Sequence, residues 1–356
     1  MTLHTRTPLG ASTLALTLFA AVATASTALP APAQAAGEVN VYSFRQPKLI
    51  QPLLKAFTEQ TGIKVNFIFA KKGLIERVKA EGRNTPADVL LTADIATVTQ
   101  AVAEGIVQPV NSDVLTKRIP ASLRAADNNW FGITRRARIV YASKERVKQD
   151  KITYEELADP KWRGKICTRS GQHVYNVALF ASMVAHMGEE KAKAWLAGLK
   201  ANLARKPSGN DRAQVKGVYA GECDLAIGNT YYMGKMQTNT KQPEQKAWAK
   251  SVKVLFPNAE GRGTHVNISG MALTKHGPNR DNAIKLMEFL TSQAAQKLYA
   301  STNFEYPVVA GVDVDPRVKS WGTLKPDPIT LDAIAKLRKR ASQMVDEINY
   351  NAGPSS

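Results

Sequence analysis

Three tyrosines stand where a ligand site is expected. Tyr231 and Tyr232 are adjacent in the segment NTYYMG, and Tyr175 lies in the segment SGQHVYN. Each segment follows a predicted β-strand, CDLAIG in the first case and KICTR in the second. Loops at the carboxyl ends of parallel strands form ligand sites in open α/β sheets, so the three phenols could meet in one cleft. The alternative interpretation is a pair with one buried and one exposed ring at 231–232, and a structural Tyr175.

Three phenol side chains in one cleft suit a hard trivalent cation such as Fe3+, which prefers anionic oxygen donors. A phenol has a pKa of about 10 in water, and a trivalent ion at bonding distance strongly favours the deprotonated form. Three phenolates would balance the charge of the ferric ion and disfavour its reduction. The sequence contains no CxxC, HExxH or paired Cys/His spacing for zinc, and no glycine-rich phosphate loop.

Three protein ligands leave positions open on a metal that takes about six, and carbonate, bicarbonate or water could fill them. Such an anion needs a cation beside it. Arg136 and Arg138 lie two positions apart in the predicted strand of TRRARIVY, so they share one face, and guanidinium groups suit planar oxyanions. The backbone of Ser170 and Gly171 could donate to the same anion. Surface ion pairs are the alternative for both arginines.

The elements that must position these residues alternate between strands and helices. Short β-rich runs such as EVNVYSF and PADVLLT are separated by segments with helical spacing of apolar residues, which indicates an α/β fold with parallel strands. We predict two lobes joined by hinge strands, with a ligand cleft between them. The amino-terminal lobe would span 37–138 with 266–310 returning to it; the carboxyl-terminal lobe would span 139–265, with a helical tail at 311–356 packing on it.

Residues 1–36 resemble a cleavable secretory signal, with Arg6, an apolar run and the segment APAQA before a cleavage site at Ala35 or Ala36. We therefore expect a soluble periplasmic protein that does not span the membrane. Export permits a disulfide between Cys167 and Cys223, although free buried thiols remain an alternative.

The formal charge of +18 is scattered along the chain, so we interpret it as a solvated basic surface and expect no nucleic-acid partner. We also expect a monomer. No pairing of a nucleophile with a base is recognisable, which argues against an enzyme. His173 and His265 are interpreted as solvated loop histidines.

Four segments together resemble a known family: SG-x-x-x-YN, CDLAIGNTYYMG, ITRRARIVYASK and PADVLLTADI. They are similar to the periplasmic ferric-ion-binding proteins (the FbpA, FutA and IdiA group) of iron ABC importers, from about Val39 to Pro307. The resemblance implies a type II bilobal solute-binding fold, delivery of Fe3+ to an inner-membrane permease and ATPase, and ferric ligation by the three tyrosines. It also implies that Arg136 or Arg138 contacts a synergistic anion, with Asn229 near the tyrosines.

The amino-terminal lobe departs from the pattern of this family. Many relatives carry His or His-Tyr where this chain has Gln46 and Pro47, and some use a Glu where Ala93 and Asp94 stand. We therefore expect three tyrosine ligands on the carboxyl-terminal lobe, Asp94 as a candidate fourth ligand, and a more open iron-bound form. The rival hypothesis is the same fold binding an organic solute such as a polyamine, thiamine or a phosphonate.

Overall fold

The computed structural model describes residues 37–354, and the predicted signal segment at 1–36 lies outside them. Ten strands lie within this range, and their bounds are β1 Glu38–Ser43, β2 Lys64–Phe69, β3 Val89–Thr92, β4 Val107–Gln108, β5 Phe131–Ser143, β6 Ile166–Cys167, β7 Leu225–Asn229, β8 Val252–Leu255, β9 Val266–Thr274 and β10 Tyr306–Pro307.

Thirteen α-helices are formed by the described residues. Their bounds are α1 Pro47–Thr61, α2 Leu74–Glu81, α3 Ile95–Ala103, α4 Asp113–Arg118, α5 Val174–Met187, α6 Glu189–Ala201, α7 Asp211–Tyr219, α8 Tyr231–Gln237, α9 Glu244–Ser251, α10 Arg280–Leu290, α11 Gln293–Asn303, α12 Pro316–Ser320 and α13 Leu331–Glu347. Short 3-10 turns occur at Gly82–Asn84, Ala121–Leu123, Glu155–Ala158, Pro160–Trp162 and Tyr350–Ala352.

The strands form one mixed sheet in the order β2-β1-β3-β9-β5-β7-β6. The long strand β5 serves two halves of this sheet: residues 131–137 pair with β9, and residues 138–143 pair with β7 and β8. β1 lies parallel to β2 and β3, and β6 lies parallel to β7, as the alternation of strands and helices predicted. The predicted division into lobes at residue 138 stays a prediction; the exchange of partners along β5 supports it.

β5 and β9 lie at the centre of the sheet and are covered on both faces, so their residues do not alternate between buried and exposed positions. Their sequences are not purely apolar, since β5 carries Arg135, Arg136 and Arg138. Every residue of β9 is buried, and all but one residue of β5 are buried. The tail helix α13 packs its apolar stripe against α5 and also contacts α3. Helical spacing of apolar residues predicts a stripe on this tail that includes Leu331, Ile334, Ala341 and Val345, all of which are buried.

Three local predictions need correction. The amphipathic segment 176–197, which its sequence predicts to be one helix, forms two helices, because Gly188 adopts a positive φ of 78° between them. The strand predicted over KICTR is reduced to Ile166–Cys167. Tyr231 and Tyr232 lie in the first turn of α8 rather than in a loop.

The disulfide between Cys167 and Cys223 is formed, with Cα atoms 5.9 Å apart, which confirms that prediction. It links β6 to the turn before β7. Within residues 37–354 no helix is both long and apolar enough to cross a bilayer.

Candidate functional site

Tyr175 is placed by the start of α5, immediately after β6. His173 caps this helix, since its Nδ1 accepts a hydrogen bond of 3.2 Å from the backbone N–H of Tyr175. The two rings also meet edge to face, with centroids 4.5 Å apart. Burial, helped by the charges of Arg169 and Arg138, lowers the pKa of His173 to about 3. The interpretation of His173 as a solvated loop residue is therefore wrong: the ring is a neutral cap that holds Tyr175.

Tyr231 and Tyr232 begin the helix that follows β7. Because β6 and β7 are parallel neighbours, the turns that leave them meet at one edge of the sheet. The hydroxyl of Tyr231 donates a hydrogen bond of 3.3 Å to the hydroxyl of Tyr175, and it shares another with Tyr232. The rings of Tyr231 and Tyr232 lie 4.4 Å apart at 32°. The structure thus brings the three predicted tyrosines together.

Burial raises the pKa of Tyr231 well above its ordinary value, and the adjacent phenols of Tyr175 and Tyr232 raise it further. Burial likewise raises the pKa of Tyr232, helped by the carboxylate of Asp211. Arg136 and Arg169 oppose these shifts without reversing them. A cation that enters the site must therefore displace protons from both phenols, which makes its binding dependent on pH.

Three guanidinium groups surround the ring of Tyr175. The Cζ atoms of Arg136, Arg138 and Arg169 lie 5.7, 5.9 and 5.3 Å from the ring centroid, within the range of cation–π contact. They create a positive field on the protein side of the phenol.

Asp211, which is fully buried, balances two of these arginines. Its carboxylate accepts hydrogen bonds from Nη1 of Arg138 at 2.7 Å and from Nη1 of Arg169 at 3.0 Å. It also accepts one from the backbone N–H of Asn229 at 2.8 Å, which fixes the end of β7 directly before the tyrosine pair. The network thus joins the supports of Tyr175 and of Tyr231.

The three tyrosines line a cavity of about 340 Å³ whose wall is strongly cationic. Arg45, Lys48, Arg212 and Lys235 all line it, and Glu305 is the one carboxylate among the described residues that does so. Arg45 pairs with Glu305 at 3.3 Å, whereas none of the ion pairs formed within residues 37–354 involves the other three cations. The cavity therefore places positive charge beside the phenols: the Cζ atom of Arg212 lies 5.2 Å from the ring centroid of Tyr232.

Within residues 37–354, carboxylate and imidazole groups do not form a metal centre of their own. Among the described residues, no group of three or more His, Cys, Asp or Glu side chains is arranged to hold a metal ion. The oxygen-rich cluster that the structure does offer is the tyrosine trio.

A family model of the bacterial extracellular solute-binding proteins matches residues 84–333. The chain belongs to this family. Iron uptake protein A1 of Synechocystis is 47% identical over 315 residues, which cover 88% of this chain and 87% of that protein. The bilobal α/β fold expected for a solute-binding protein is confirmed by the solved structures that it resembles.

Two of those structures are especially informative. Ferric iron-binding protein A of Mannheimia haemolytica, in an open conformation, is 52% identical, with a TM-score of 0.84 over 88% of this chain and 99% of that one. The IdiA (FutA) protein of Trichodesmium, in complex with iron and citrate, is 43% identical, with a TM-score of 0.85 over 88% and 100%. The resemblance to periplasmic ferric-ion-binding proteins that the motifs indicated is confirmed.

Two of the predicted anion-binding groups have other partners in this solute-binding protein. Arg138 is 2% exposed, and beyond Asp211 it donates to Oδ1 of Asn176 at 2.6 Å and to Oδ1 of Asn229 at 3.1 Å. The backbone N–H of Gly171 donates to Oδ1 of Asn351 at 2.8 Å. Nη1 and Nη2 of Arg138 and the N–H of Gly171 are thus hydrogen-bonded within the protein, whereas the buried Nε of Arg138 has no partner among the described residues. Anion binding by these two residues stays a prediction.

Gly171 also serves packing. A Cβ atom at this position would lie 2.6 Å from the ring of Tyr350 and 2.8 Å from Val345, so only glycine lets the carboxyl-terminal segment lie against it. The hydroxyl of Ser170 accepts from the N–H of Gln172, which gives it a local role in the turn.

Arg136 stays close to the tyrosines but is also partly engaged. Its Nη1 donates to Oγ of Ser269 at 3.0 Å, and its Nη2 donates to the carbonyl of Ala93. Its side chain thus links β5 to β9 and to the turn before α3. Its charge still reaches Tyr175 and Tyr231, so its role is electrostatic support.

Asp94, the candidate fourth ligand, caps α3: its Oδ1 accepts from the N–H of Thr97 at 3.1 Å, and the residue does not line the cavity with the tyrosines. Its role as a ligand stays a prediction. Gln46 is exposed and lines the cavity. Asn229 lies beside the tyrosines and is held by Arg138, Asp211 and the hydroxyl of Tyr141, which donates to its carbonyl at 2.6 Å.

The sequence analysis missed the cationic wall. Arg45 directly precedes Gln46, and Lys235 follows Tyr232 by three positions, which is one helical turn. Helical placement of the tyrosine pair would have indicated Lys235. Burial lowers the pKa of Lys235 to about 8, with Glu305 opposing the shift and Arg45 adding to it.

Proposed function

We propose that this chain is a periplasmic Fe3+-binding protein that delivers iron to an inner-membrane ABC transporter and performs no chemistry on its cargo. The observation that carries this proposal is the hydrogen-bonded cluster of Tyr175, Tyr231 and Tyr232 in one cavity. Relatives that share the fold and more than 40% identity are named for ferric iron or iron uptake. Export through cleavage after Ala35 or Ala36 belongs to the same proposal.

The three phenolates would hold the ferric ion and balance its charge, since Fe3+ prefers anionic oxygen donors. Carbonate, bicarbonate or water would fill the remaining positions. An anion there would face Lys48, Arg212 and Lys235, whose charges are not consumed by ion pairs within the described residues. The cationic wall thus adds a second supporting surface for the anion to the one predicted at Arg138 and Gly171.

The alternative of an organic solute meets an electrostatic objection. Polyamines and thiamine are cations, and the cavity wall would repel them through Arg45, Lys48, Arg212 and Lys235. A phosphonate would suit the wall, but it would leave three clustered phenols without a chemical reason. The phenols therefore favour iron.

Release would follow from the same chemistry. The pKa of Tyr231 lies far above neutrality in the metal-free site because the phenol is buried among other phenols, so protonation competes directly with metal. Loss of the anion or reduction to Fe2+ would weaken binding further, because a phenolate prefers the ferric state.

The test is optical. Ferric citrate with bicarbonate should turn the purified protein red-orange through phenolate-to-iron charge transfer. Tyr231→Phe should abolish the band, whereas Tyr219→Phe, an exposed tyrosine on α7, should leave it unchanged. A wild-type protein that stays colourless, or a Tyr231→Phe variant that keeps the full band, would overturn the proposal. Binding of a phosphonate probe by a protein that stays colourless with ferric citrate would support the alternative.

A further inference from the structure

The helix that carries the tyrosine pair is too short to fix its own direction. α8 has seven residues, and its N-cap residue Thr230 makes no side-chain capping bond. Short helices owe their stability to tertiary packing rather than to internal hydrogen bonds. The directions of Tyr231 and Tyr232 therefore depend on what packs against α8.

The contact on the next turn of α8 is made by Phe304. A Cβ atom at Gly234 would lie 2.6 Å from Cδ2 and 2.8 Å from Cβ of Phe304, so the phenyl group rests directly on the helix backbone. Glycine is unfavourable inside a helix, and here it provides the room for the ring. Phe304 is 7% exposed and belongs to one apolar cluster with Tyr231 and Tyr306.

Phe304 holds this place in a backbone conformation that a bulky residue rarely adopts. Its φ of 58° and ψ of 33° are left-handed, and its N–H ends α11 by donating to the carbonyl of Ala300 at 2.8 Å. Glycine or asparagine would form this helix end with less strain. A strained phenylalanine persists only where neighbouring residues hold it in place, and its contact with Gly234 does so.

The residues beside Phe304 are fastened to the other half of the sheet. Nδ2 of Asn303 donates to the carbonyl of Leu49 on α1 at 3.0 Å, and Glu305 pairs with Arg45 at the end of β1. Tyr306 then pairs with β5 opposite Arg135, within the part of β5 that faces β9. The ring of Phe304 therefore connects a frame built on β1, α1 and β5 to the helix that begins at Tyr231.

We propose that Phe304 is a positioning residue for the tyrosine pair, which fixes the geometry of Tyr231 and Tyr232 from the opposite half of the sheet. This inference rests on the proposed iron function of the site. It makes the arrangement of the proposed ligands depend on Phe304, whose side chain has no oxygen or nitrogen atom and so cannot itself bind the ion. A movement of the half of the sheet that contains β1 would then be transmitted to the tyrosines through the ring of Phe304.

The experiment compares Phe304→Gly, Phe304→Leu and Gly234→Ala with Phe69→Leu, a control on the distant edge strand β2. The first readout needs no iron: ¹³C NMR of labelled tyrosine ring carbons in the metal-free protein should shift for residues 231 and 232 in the three variants. The second is the charge-transfer band, which should move. The third is iron loss to a competing chelator, which should be at least tenfold faster than in the wild type.

Phe304→Gly separates positioning from stability, because it relieves the left-handed strain while removing the ring. The double variant Gly234→Ala with Phe304→Gly returns a methyl group to the space that the ring leaves, and it should move the band and the NMR shifts back towards the wild type. Rescue of this kind is not expected of a residue that only adds stability.

The outcomes separate the two proposals. If the wild type never colours, the iron function fails, and the NMR arm alone decides on Phe304. If the wild type colours and the Phe304 and Gly234 variants keep its band, its rate of iron loss and its tyrosine shifts, the inference about Phe304 is overturned.

Discussion

The hydroxyl of Tyr231 donates a hydrogen bond of 3.3 Å to the hydroxyl of Tyr175, 56 positions earlier in the chain. Two parallel strands, β6 and β7, bring the two turns to the same edge of the sheet, and a disulfide spanning 56 positions joins the segments that lead into them. The contact places the buried phenol of Tyr231 against the partly buried phenol of Tyr175, which is unfavourable for two phenolates unless a cation lies between or beside them.

Asp211→Asn should strongly destabilise the protein, because it leaves the buried guanidinium groups of Arg138 and Arg169 without their shared counter-charge. Removal of one partner from a buried ion pair costs about 3–5 kcal/mol of unfolding free energy. Chemical denaturation measures the loss. Asp113→Asn is the matched control, since its pair with Lys117 is exposed and should change stability by less than about 0.5 kcal/mol. Equal effects of the two substitutions would contradict the assigned role of Asp211.

Removal of the disulfide in Cys167→Ala/Cys223→Ala should lower the unfolding free energy by about 2–4 kcal/mol, because the bridge closes a long loop in the unfolded chain. The urea midpoint with and without dithiothreitol measures this. The wild-type midpoint should fall when the bridge is reduced, and the variant midpoint should not respond. Thiol titration shows when the bridge is fully reduced. A wild-type midpoint that is unchanged at that point would argue against a stabilising bridge.

His265 should make the metal-free protein sensitive to acid. It is 2% exposed, contrary to the expectation of a solvated loop residue, and burial, with Arg138 adding to the effect, lowers its pKa to about 3. Below the unfolded pKa of 6.5 the unfolded chain takes up a proton that the folded chain refuses. Stability should therefore fall by roughly 1 kcal/mol for each pH unit from 6.5 towards 3.

The variant His265→Asn should reduce this slope, and His173, with its similarly lowered pKa, should account for part of the remainder. His276→Asn serves as the control because His276 is exposed. Denaturation midpoints measured between pH 4 and 7 provide the comparison. A slope that is the same in the wild type and in His265→Asn would contradict the prediction.

The cationic wall should control how much anion the iron site needs. Arg212→Gln and Lys235→Gln each remove one positive charge from the cavity, so half-maximal colour should require roughly fivefold more bicarbonate at a fixed concentration of ferric citrate, as expected for the loss of about 1 kcal/mol of charge attraction. Lys250→Gln on α9 is the control, since this lysine is exposed and lies outside the cavity lining.

The lowered pKa of Lys235, about 8, adds a pH signature to the same experiment. The lysine loses its charge as the pH rises through 8, while bicarbonate keeps its negative charge. The bicarbonate concentration that gives half-maximal colour should therefore rise between pH 7 and 9 in the wild type and change less in Lys235→Gln. Identical pH profiles would show that Lys235 does not face the anion.

Some features could be read from local sequence because they depend on neighbouring residues alone. The strands that enter the site follow from short apolar runs, and the tail stripe from Leu331 to Val345 follows from helical spacing. Tyr175 and Tyr231 were found because each follows a strand whose end lies at the ligand edge of a parallel sheet. Arg136 and Arg138 share one face, as strand alternation requires, and both reach the ring of Tyr175.

The partners of each polar group depended on tertiary contacts between distant segments. Sequence alone could not show that Asp211 would bind Arg138 or that Asn351 would occupy the N–H of Gly171. A buried donor must be satisfied by whatever acceptor the fold brings to it, and among the described residues that acceptor lies as far away as Glu305 from Arg45, 260 positions along the chain. The sequence by itself therefore determined that the tyrosines follow strands ending at the ligand edge of the sheet, and the tertiary structure decided which charged and polar groups surround them, because those groups come from distant segments.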